Sequence, residues 1–307
     1  MNPALSVLDI GVIAPGGDGA SVLQSSLDFA DAADRLGFDA FWVAEHHEAH
    51  FGWAVPAVMM AALAQRTRRI RLGAAAVLLP LYSPLAIAET YLLLHALSPG
   101  RIDLGVAGGI PIDQAALVAL LDEAPNPEPD SFARKLAELS RYLRRDFPEG
   151  HRFAGGVTPR FADPPPLWVM GTSGNSARHA AGNSAHFAYS LFHRGSRDDP
   201  GVAHLFRDEA LIGPRRLAIA ASCICGETGE AVAAQRGLVE AWLTGDMRVV
   251  VAGRPEECRE QILALTDRYG ADEVVLFHLW HHADRRLAAL NALADAFNLG
   301  PRDSTRP

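Results

Sequence analysis

The sequence has little that would suit a polyanionic partner or an oxidising compartment. Its 307 residues carry a net charge of −8, whereas nucleic acids and acidic membranes are bound by clustered lysine and arginine. Cysteine occurs only three times, at Cys223, Cys225 and Cys258, and such a sparse, odd count suits a reducing cytosol. We therefore expect a cytoplasmic protein without a nucleic-acid or membrane partner, whose cysteines pack in the core and bind no metal.

Long apolar runs and targeting patterns are also missing. No stretch of about 18 apolar residues is free of polar interruption, so no transmembrane helix is predicted. The first residues lack the basic start of a signal peptide and contain Asp9, and they predict a first strand instead. Gly16, Gly17 and Gly19 do not have the spacing of a Gly-x-Gly-x-x-Gly motif, which disfavours a Rossmann dinucleotide-binding domain.

What the chain does contain is a regular alternation of β-branched runs and helical patterns. Eight strands are predicted, each followed by helical sequence, and this favours a single α/β domain folded as a closed (β/α)8 TIM-type barrel. The expected domain covers residues 1–307, with a flexible C-terminal tail from about residue 299. The predicted strands are 7–13, 40–43, 70–78, 101–106, 167–170, 186–190, 217–223 and 273–277. The predicted helices are 21–36, 56–66, 84–96, 132–144, 175–182, 229–243, 255–269 and 283–297.

The second predicted strand ends in FWVAEHHEAHFGW, which holds three histidines and two glutamates between Glu45 and His50. In barrels of this type the chemistry lies in the loops that follow the strands. A zinc protease motif needs His-Glu-x-x-His, and His47-Glu48-Ala49-His50 is one residue short of it, so a metal site is disfavoured. The charged groups could simply cap the turn, but an idle buried charge in a barrel mouth is costly. The pattern therefore favours an acid/base site.

Several segments resemble the bacterial luciferase-like flavin monooxygenases. GFDAFWVAEHHEAHFG (37–52) is similar to that family's strand followed by Glu-His-His. PAVMMAALAQRTRRIRLGAAAVLLPLYSPLAIAET (56–90) and LHALSPGRIDLGVAGG (94–109) are similar to its next helices and strands. PPPLWVMGTSGNSARHAA (164–181) and VAGRPEECREQILALTDRYGADEVVLF (251–277) resemble it more weakly. The similarity covers most of the chain.

The resemblance implies an enzyme that oxygenates a small organic substrate. Members of the family bind reduced FMN (FMNH2) delivered by a separate flavin reductase, and use O2 through a C4a-peroxyflavin. His46 would face flavin and substrate as general acid/base. Glu45 would orient His46 and set its tautomer, and His47 would support the pair. The resemblance also implies a homodimer formed through the second and third helices.

The resemblance assigns cofactor-binding residues as well. Ala75 and Ala76 match a non-prolyl cis peptide under the flavin ring, although a plain barrel strand of small residues explains them equally well; small side chains let a flat ring approach the backbone. The flavin phosphate would lie on the turn that joins a strand to a helix, where hydroxyls and helix amides donate to an anion, unless those hydroxyls only cap the helix. The residues assigned to the cofactor are Ala75, Ala76, Gly108, Gly171, Thr172, Ser173, Asn175 and Ser176.

The chain also departs from the family pattern. An arginine that pairs with the flavin phosphate usually follows the fourth strand, but the residues here are Val106-Ala107-Gly108-Gly109. Arg178 or Arg160 could take its place, and the short segment 111–166 predicts a reduced lid. Two alternatives stay open: a deazaflavin- or flavin-dependent oxidoreductase on the same barrel, and a non-catalytic barrel that binds flavin or stabilises a partner.

Overall fold

The structure, a computed structural model, describes residues 2–13, 16–122, 131–160, 163–193, 195–196, 198–209, 215–242, 247–280 and 282–300. The tail predicted from about residue 299 lies almost entirely outside these residues. Strands and helices alternate along the described chain. The strands are β1 (Ala4–Asp9), β2 (Ala40–Val43), β3 (Arg71–Ala74), β4 (Val77–Leu78), β5 (Ile102–Ala107), β6 (Leu167–Gly171), β7 (His186–Ser190), β8 (Leu217–Cys225), β9 (Val251–Gly253) and β10 (Glu273–His278).

The helices lie between the strands. They are α1 (Gly19–Leu36), α2 (Pro56–Arg66), α3 (Pro84–Leu97), α4 (Gln114–Leu120), α5 (Ser131–Arg144), α6 (Gly174–Gly182), α7 (Gly201–Glu209), α8 (Gly229–Trp242), α9 (Pro255–Tyr269) and α10 (Ala283–Ala296), with a short 3-10 turn at Leu79–Leu81. Among the described residues, no helix is both long enough and apolar enough to cross a bilayer.

Eight of the strands form a closed parallel barrel. Their order is β1-β2-β3-β5-β6-β7-β8-β10, and β10 pairs with β1 on its other side, which closes the ring. β4 continues β3 along β5, and β9 pairs with the end of β8. The predicted (β/α)8 barrel is confirmed.

Most predicted strands and helices lie within a few residues of the observed ones, and the differences have local causes. β1 ends at Asp9 rather than at residue 13 because Gly11 adopts φ +67° and the Trp53 ring lies 2.5 Å from where a Cβ on Gly11 would be. The predicted strand 70–78 is interrupted between β3 and β4. The short helices α4 and α7 were not predicted.

The barrel interior has two different layers. Near the mouth it is apolar, with Leu8, Ala188 and Phe277 among its residues. At the opposite end, where the strands begin, the buried Glu273 carboxylate accepts hydrogen bonds from Ser6 (2.5 Å), Trp42 (3.3 Å), Arg71 (3.0 Å) and Arg216 (2.6 Å). Arg71 also pairs with Asp103. This end of a TIM barrel serves stability rather than catalysis.

Opposing effects act on the ionisation of Glu273. Burial alone would raise the pKa of this carboxyl group, but Arg71 and Arg216 outweigh burial and the pKa lies below its ordinary value. Glu273 is therefore charged at neutral pH and pairs with the two guanidinium groups beside it.

The cysteines lie in the core, as predicted. Cys223, Cys225 and Cys258 are free and buried, and the Cys258 thiol lies 3.4 Å from the Gly253 carbonyl oxygen. Small apolar side chains of this kind fill space between β8, β9 and α9.

His278, at the end of β10, predicts a loss of stability in acid. It is 4% exposed, neither ring nitrogen has a hydrogen-bond partner, and burial, with Arg286 adding, lowers its pKa to about 3. In the unfolded chain His278 has a pKa of about 6.5 and binds a proton below that pH, whereas in the folded chain it stays neutral. The contribution of His278 to the free energy of unfolding therefore has its full value above pH 6.5 and falls by about 1.4 kcal/mol per pH unit below it.

Urea unfolding at several pH values between 7.5 and 5 measures this slope. Above pH 7 the free energy of unfolding of His278→Phe should differ from that of the parent protein by a constant. Below pH 6 the parent protein should lose about 1.4 kcal/mol more per pH unit than the variant. Parallel curves over the whole pH range would contradict the assignment.

Candidate active site

The predicted site residues lie on one side of the barrel mouth. The strands β2, β3, β5 and β6 are neighbours in the barrel. Their carboxyl ends carry, in turn, the Glu-His-His segment, the Ala75–Ala76 step, Gly108 and the Gly171–Ser176 turn. Because the barrel is parallel, these ends meet at one face, and segments distant in sequence form one surface.

His46 lies over the mouth as a neutral imidazole. Its ring stacks on Phe51 with centroids 4.0 Å apart and planes 13° apart, and Nδ1 lies 3.8 Å from Glu48 Oε2. Burial lowers the pKa of His46 to about 4, against the smaller opposing effect of Glu48, and the charges of His50 and His193 lower it further. At neutral pH this imidazole can therefore accept a proton.

His193 belongs to the other side of the mouth and was missed in the sequence. It follows β7, which stands opposite β2 in the barrel, yet it is close enough to His46 for their charges to repel. The Ser190 hydroxyl, at the end of β7, lies 2.7 Å from His193 Nδ1. The only available signal was the position of Ser190 at the end of a predicted strand.

The predicted pairing of Glu45 with His46 is wrong. Glu45 is 3% exposed, and its Oε1 contacts His47 Nε2 at 2.8 Å and accepts a hydrogen bond of 2.7 Å from the Tyr82 hydroxyl. Its Oε2 accepts a 3.0 Å hydrogen bond from the Leu78 amide. Both residues follow β2, and their contacts differ: Glu45 contacts His47 and the segment after β3, whereas His46 stacks on Phe51.

The Ala75–Ala76 peptide bond is cis, in agreement with the first of the two interpretations of this step. The Ala75 amide donates to the Val43 carbonyl over 2.8 Å, which holds the step beside the end of β2. Ala75 is half-buried and packs with the apolar interior, while Ala76 is buried. With only a methyl group at this point, the backbone is accessible to a flat aromatic ring, and the residues present fit a flavin.

The turn after β6 has the donors that a phosphate group needs. Ser173 is the N-cap of α6 and accepts a hydrogen bond from the Ser176 amide, with the two hydroxyls 3.3 Å apart. A Cβ on Gly171 would lie 2.2 Å from the Ser176 side chain, so only glycine lets the turn close. Thr172 is half-buried, and Asn175 and Ser173 are exposed. Capping by Ser173 leaves other amides of the first turn directed outwards for an anion.

Of the two arginines considered for the phosphate, Arg178 lies beside this turn. Its guanidinium NH1 is 3.9 Å from where a Cβ on Gly174 would be, and its Nε lies 3.4 Å from Glu209 Oε1 at the end of α7. Arg160 precedes β6 and is exposed, with its guanidinium NH1 3.4 Å from where a Cβ on Gly155 would be. The geometry therefore favours Arg178.

Gly108 lies at the edge of the predicted site. Gly108 is exposed after β5, and a Cβ there would lie 3.1 Å from the Phe132 ring, so this position is bordered by α5.

In the described part of the chain, no group of three or more His, Cys, Asp or Glu side chains has an arrangement that could hold a metal ion.

Comparison with known proteins identifies the family. The profile described as luciferase-like monooxygenase matches residues 5–249, four-fifths of the chain. The chain belongs to the luciferase-like monooxygenase family. It is 28% identical to the Bacillus subtilis protein YwcH over 96% of this chain and 99% of YwcH. It is also 38% identical to the N-acetyl-S-alkylcysteine monooxygenase of Bacillus subtilis over 63% of this chain and 58% of that enzyme.

Solved structures agree on the barrel. The crystal structure of apo-MsnO8 superposes with a TM-score of 0.88 at 32% identity and covers 98% of this chain and 100% of its own. The oxygenating constituent of 3,6-diketocamphane monooxygenase from Pseudomonas putida, in complex with FMN, has a TM-score of 0.75 at 17% identity over 98% and 99% of the chains. An F420-dependent secondary alcohol dehydrogenase has a TM-score of 0.67 at 17% identity over 99% and 100%. The last two show that this fold accommodates flavins and deazaflavins.

Proposed function

We propose that this member of the luciferase-like family is a flavin-dependent monooxygenase that uses reduced FMN and O2 to oxygenate a small organic substrate. The observation that carries the proposal is the neutral imidazole of His46 at the mouth, on the same side as the Ala75–Ala76 step and the Gly171–Ser176 turn. A proton acceptor, a surface for a flat ring and a phosphate-binding turn are the three things that such an enzyme must provide.

The chain's own residues have distinct tasks in this proposal. When bound, reduced FMN would supply the electrons for the chemistry with O2. Ala75 and Ala76 would support its ring, and the hydroxyls and amides of the Gly171–Ser176 turn would hold its phosphate. The apolar interior beneath the mouth excludes water from this surface. His46, neutral because its pKa is about 4, would accept and return a proton on the substrate side.

Direct binding distinguishes FMN from the deazaflavin alternative. Because the fold accommodates both, the choice of FMN rests on the family. Titration of the protein into FMN and into a deazaflavin of the F420 type, followed by cofactor fluorescence, should give tighter binding of FMN. Tighter binding of the deazaflavin would support the oxidoreductase alternative. Reduction of the FMN by a separate reductase is part of the proposal, so turnover with NADH should require one to be added.

We expect Arg178 to contribute measurably to the affinity for FMN. A charge-assisted hydrogen bond contributes about 1.5–3 kcal/mol, and the exposure of Arg178 places its effect at the lower end, because solvent screens the charge. We expect Arg178→Met to raise the Kd for FMN about tenfold, and Glu209→Gln, which releases Arg178 from its ion pair, to lower it. Arg160→Met is the matched control and should leave the Kd unchanged. Equal effects of the two arginine variants would contradict the choice of Arg178.

A homodimer is also part of the proposal. The exposed faces of α2 and α3 carry large apolar side chains: Val58 is 69% exposed, Leu93 51% and Leu97 68%, with Val55 just before α2 at 51%. Burying such side chains against a second copy is favourable. Light scattering should give twice the chain mass of 32.9 kDa. Leu97→Glu should shift the protein towards the monomer, and a monomeric parent protein would refute this assignment.

A further inference from the structure

The buried carboxylate of Glu45 contacts three polar groups, one from its own loop and two from the segment after β3. We call Glu45, His47, Leu78 and Tyr82 the Glu45 cluster. The contacts are short: 2.7 Å from the Tyr82 hydroxyl, 2.8 Å from His47 Nε2 and 3.0 Å from the Leu78 amide. Because Glu45 is 3% exposed, these groups take the place of water around its charge.

Only donors can satisfy this carboxylate. An ionised carboxylate accepts hydrogen bonds and donates none, and a backbone amide only donates. Tyr82 also keeps its proton, since burial, with the hydrogen bond to Glu45 and its charge adding, raises the pKa of the phenol above its ordinary value. His47 must therefore approach Glu45 with a protonated Nε2. In a neutral imidazole with the proton on Nε2, the other nitrogen, Nδ1, is an acceptor.

We propose that Glu45 and Tyr82 are positioning residues that fix the proton of His47 on Nε2, so that His47 Nδ1 is a second proton acceptor of the site beside His46. The chemical role of Nδ1 rests on the proposed function, whereas the position of the proton rests on the cluster alone. A carboxylate that orients an imidazole in this way sets both its tautomer and its ring orientation.

The cluster also fixes where His47 lies. Glu45 Oε2 holds the Leu78 amide in β4, and Tyr82 lies just after the following 3-10 turn, so the carboxylate ties the end of β2 to the segment after β3. The His47 side chain is 11% exposed, which leaves it little freedom to turn. The two adjacent histidines thereby differ in kind: His46 is held by stacking on Phe51, and His47 by a carboxylate.

Tyr91 provides a matched control. Its hydroxyl is buried on α3 without a hydrogen-bond partner, and Glu45 is close enough to raise its pKa further after the larger effect of burial. Tyr91→Phe therefore removes a phenol near Glu45 without removing a hydrogen bond, whereas Tyr82→Phe removes one of the three donors.

The test is NMR of the cofactor-free protein with 15N-labelled histidine. We expect a downfield, slowly exchanging proton attached to His47 Nε2. This resonance should shift in Tyr82→Phe, disappear in Glu45→Gln and stay unchanged in Tyr91→Phe. Thermal unfolding of each variant confirms that it is folded. A His47 proton on Nδ1, or equal spectra for the Tyr82 and Tyr91 variants, would overturn the proposal.

Turnover gives the second measurement. Acid–base catalysis contributes about 10²–10⁴-fold, and we expect Tyr82→Phe to lose about tenfold in kcat/KM relative to Tyr91→Phe, with a shifted pH profile. Failure of the parent protein to bind FMN would remove the proposed function but leave the NMR result standing. An unshifted pH profile in Tyr82→Phe would instead refute the positioning role while FMN chemistry remained.

Discussion

Replacing His46 by alanine is expected to lower the rate of substrate oxygenation by about 10²–10⁴-fold, the usual contribution of a general acid/base. The affinity for FMN should change little, because His46 is held by its stack on Phe51 and belongs to the loop after β2, away from the Gly171–Ser176 turn. The measurement is product formation from reduced FMN and O2 with any substrate that the parent protein oxygenates, together with an FMN titration.

His50 is the matched control for this prediction. It lies in the same loop, is exposed, and also contacts Phe51, with ring centroids 4.3 Å apart. We expect His50→Ala to retain nearly full turnover. Unchanged turnover in His46→Ala, or an equal loss in both variants, would show that His46 does not carry the proton. The pKa of about 4 for His46 also predicts a pH dependence. Activity that depends on the neutral imidazole should decline only as the pH falls towards 4, not near 6.5.

The largest effect on stability is expected for Glu273→Leu. This change removes the buried carboxylate that the half-buried Arg71 and Arg216 each contact through Oε2. Removing one partner from a buried ion pair costs about 3–5 kcal/mol, and the partial exposure of both guanidinium groups places the loss at the lower end of this range. Urea unfolding at pH 7 should show a loss of this size. Glu257→Gln, which breaks the exposed pair with Arg254 on α9, should cause a much smaller loss because water screens that pair.

The outcome also has a pH dependence. The lowered pKa of Glu273 means that its contribution to the free energy of unfolding is complete above the ordinary glutamate pKa and is lost as the pH falls through the folded value. The difference between Glu273→Leu and the parent protein should therefore be largest at neutral pH. A variant as stable as the parent at pH 7 would show that this charged layer does not hold the strand ends together.

The sequence predicts the barrel well because its local signals agree with one another. β2 was predicted at its observed bounds because four apolar residues, Ala40–Val43, are followed after one alanine by Glu45, and α2 because Pro56 begins it. The stretch at Ala75 and Ala76 showed only that the side chains are small. Its cis peptide came from the family resemblance, since nothing in residue periodicity distinguishes it from a strand.

What the sequence could not predict is contacts between distant elements. Tyr82 and Leu78 lie 37 and 33 residues beyond Glu45, and they reach it only because β2 and β3 are neighbours in the barrel. Adjacency in sequence suggested Glu45 with His46, but the buried Glu45 carboxylate instead contacts His47, the Tyr82 hydroxyl and the Leu78 amide. The Glu273 layer joins residues up to 267 positions apart, so it appears only once the barrel closes.

The most direct test of the central claim is rapid mixing of the protein, loaded with photoreduced FMN, with O2-saturated buffer while flavin absorbance is followed. We predict that FMN stays bound and that a transient spectrum, different from those of both reduced and oxidised FMN, precedes the return of the oxidised form. Reoxidation identical to that of free FMN would point to a barrel that binds flavin without oxygenating anything. A protein that retains no FMN at all would contradict the account.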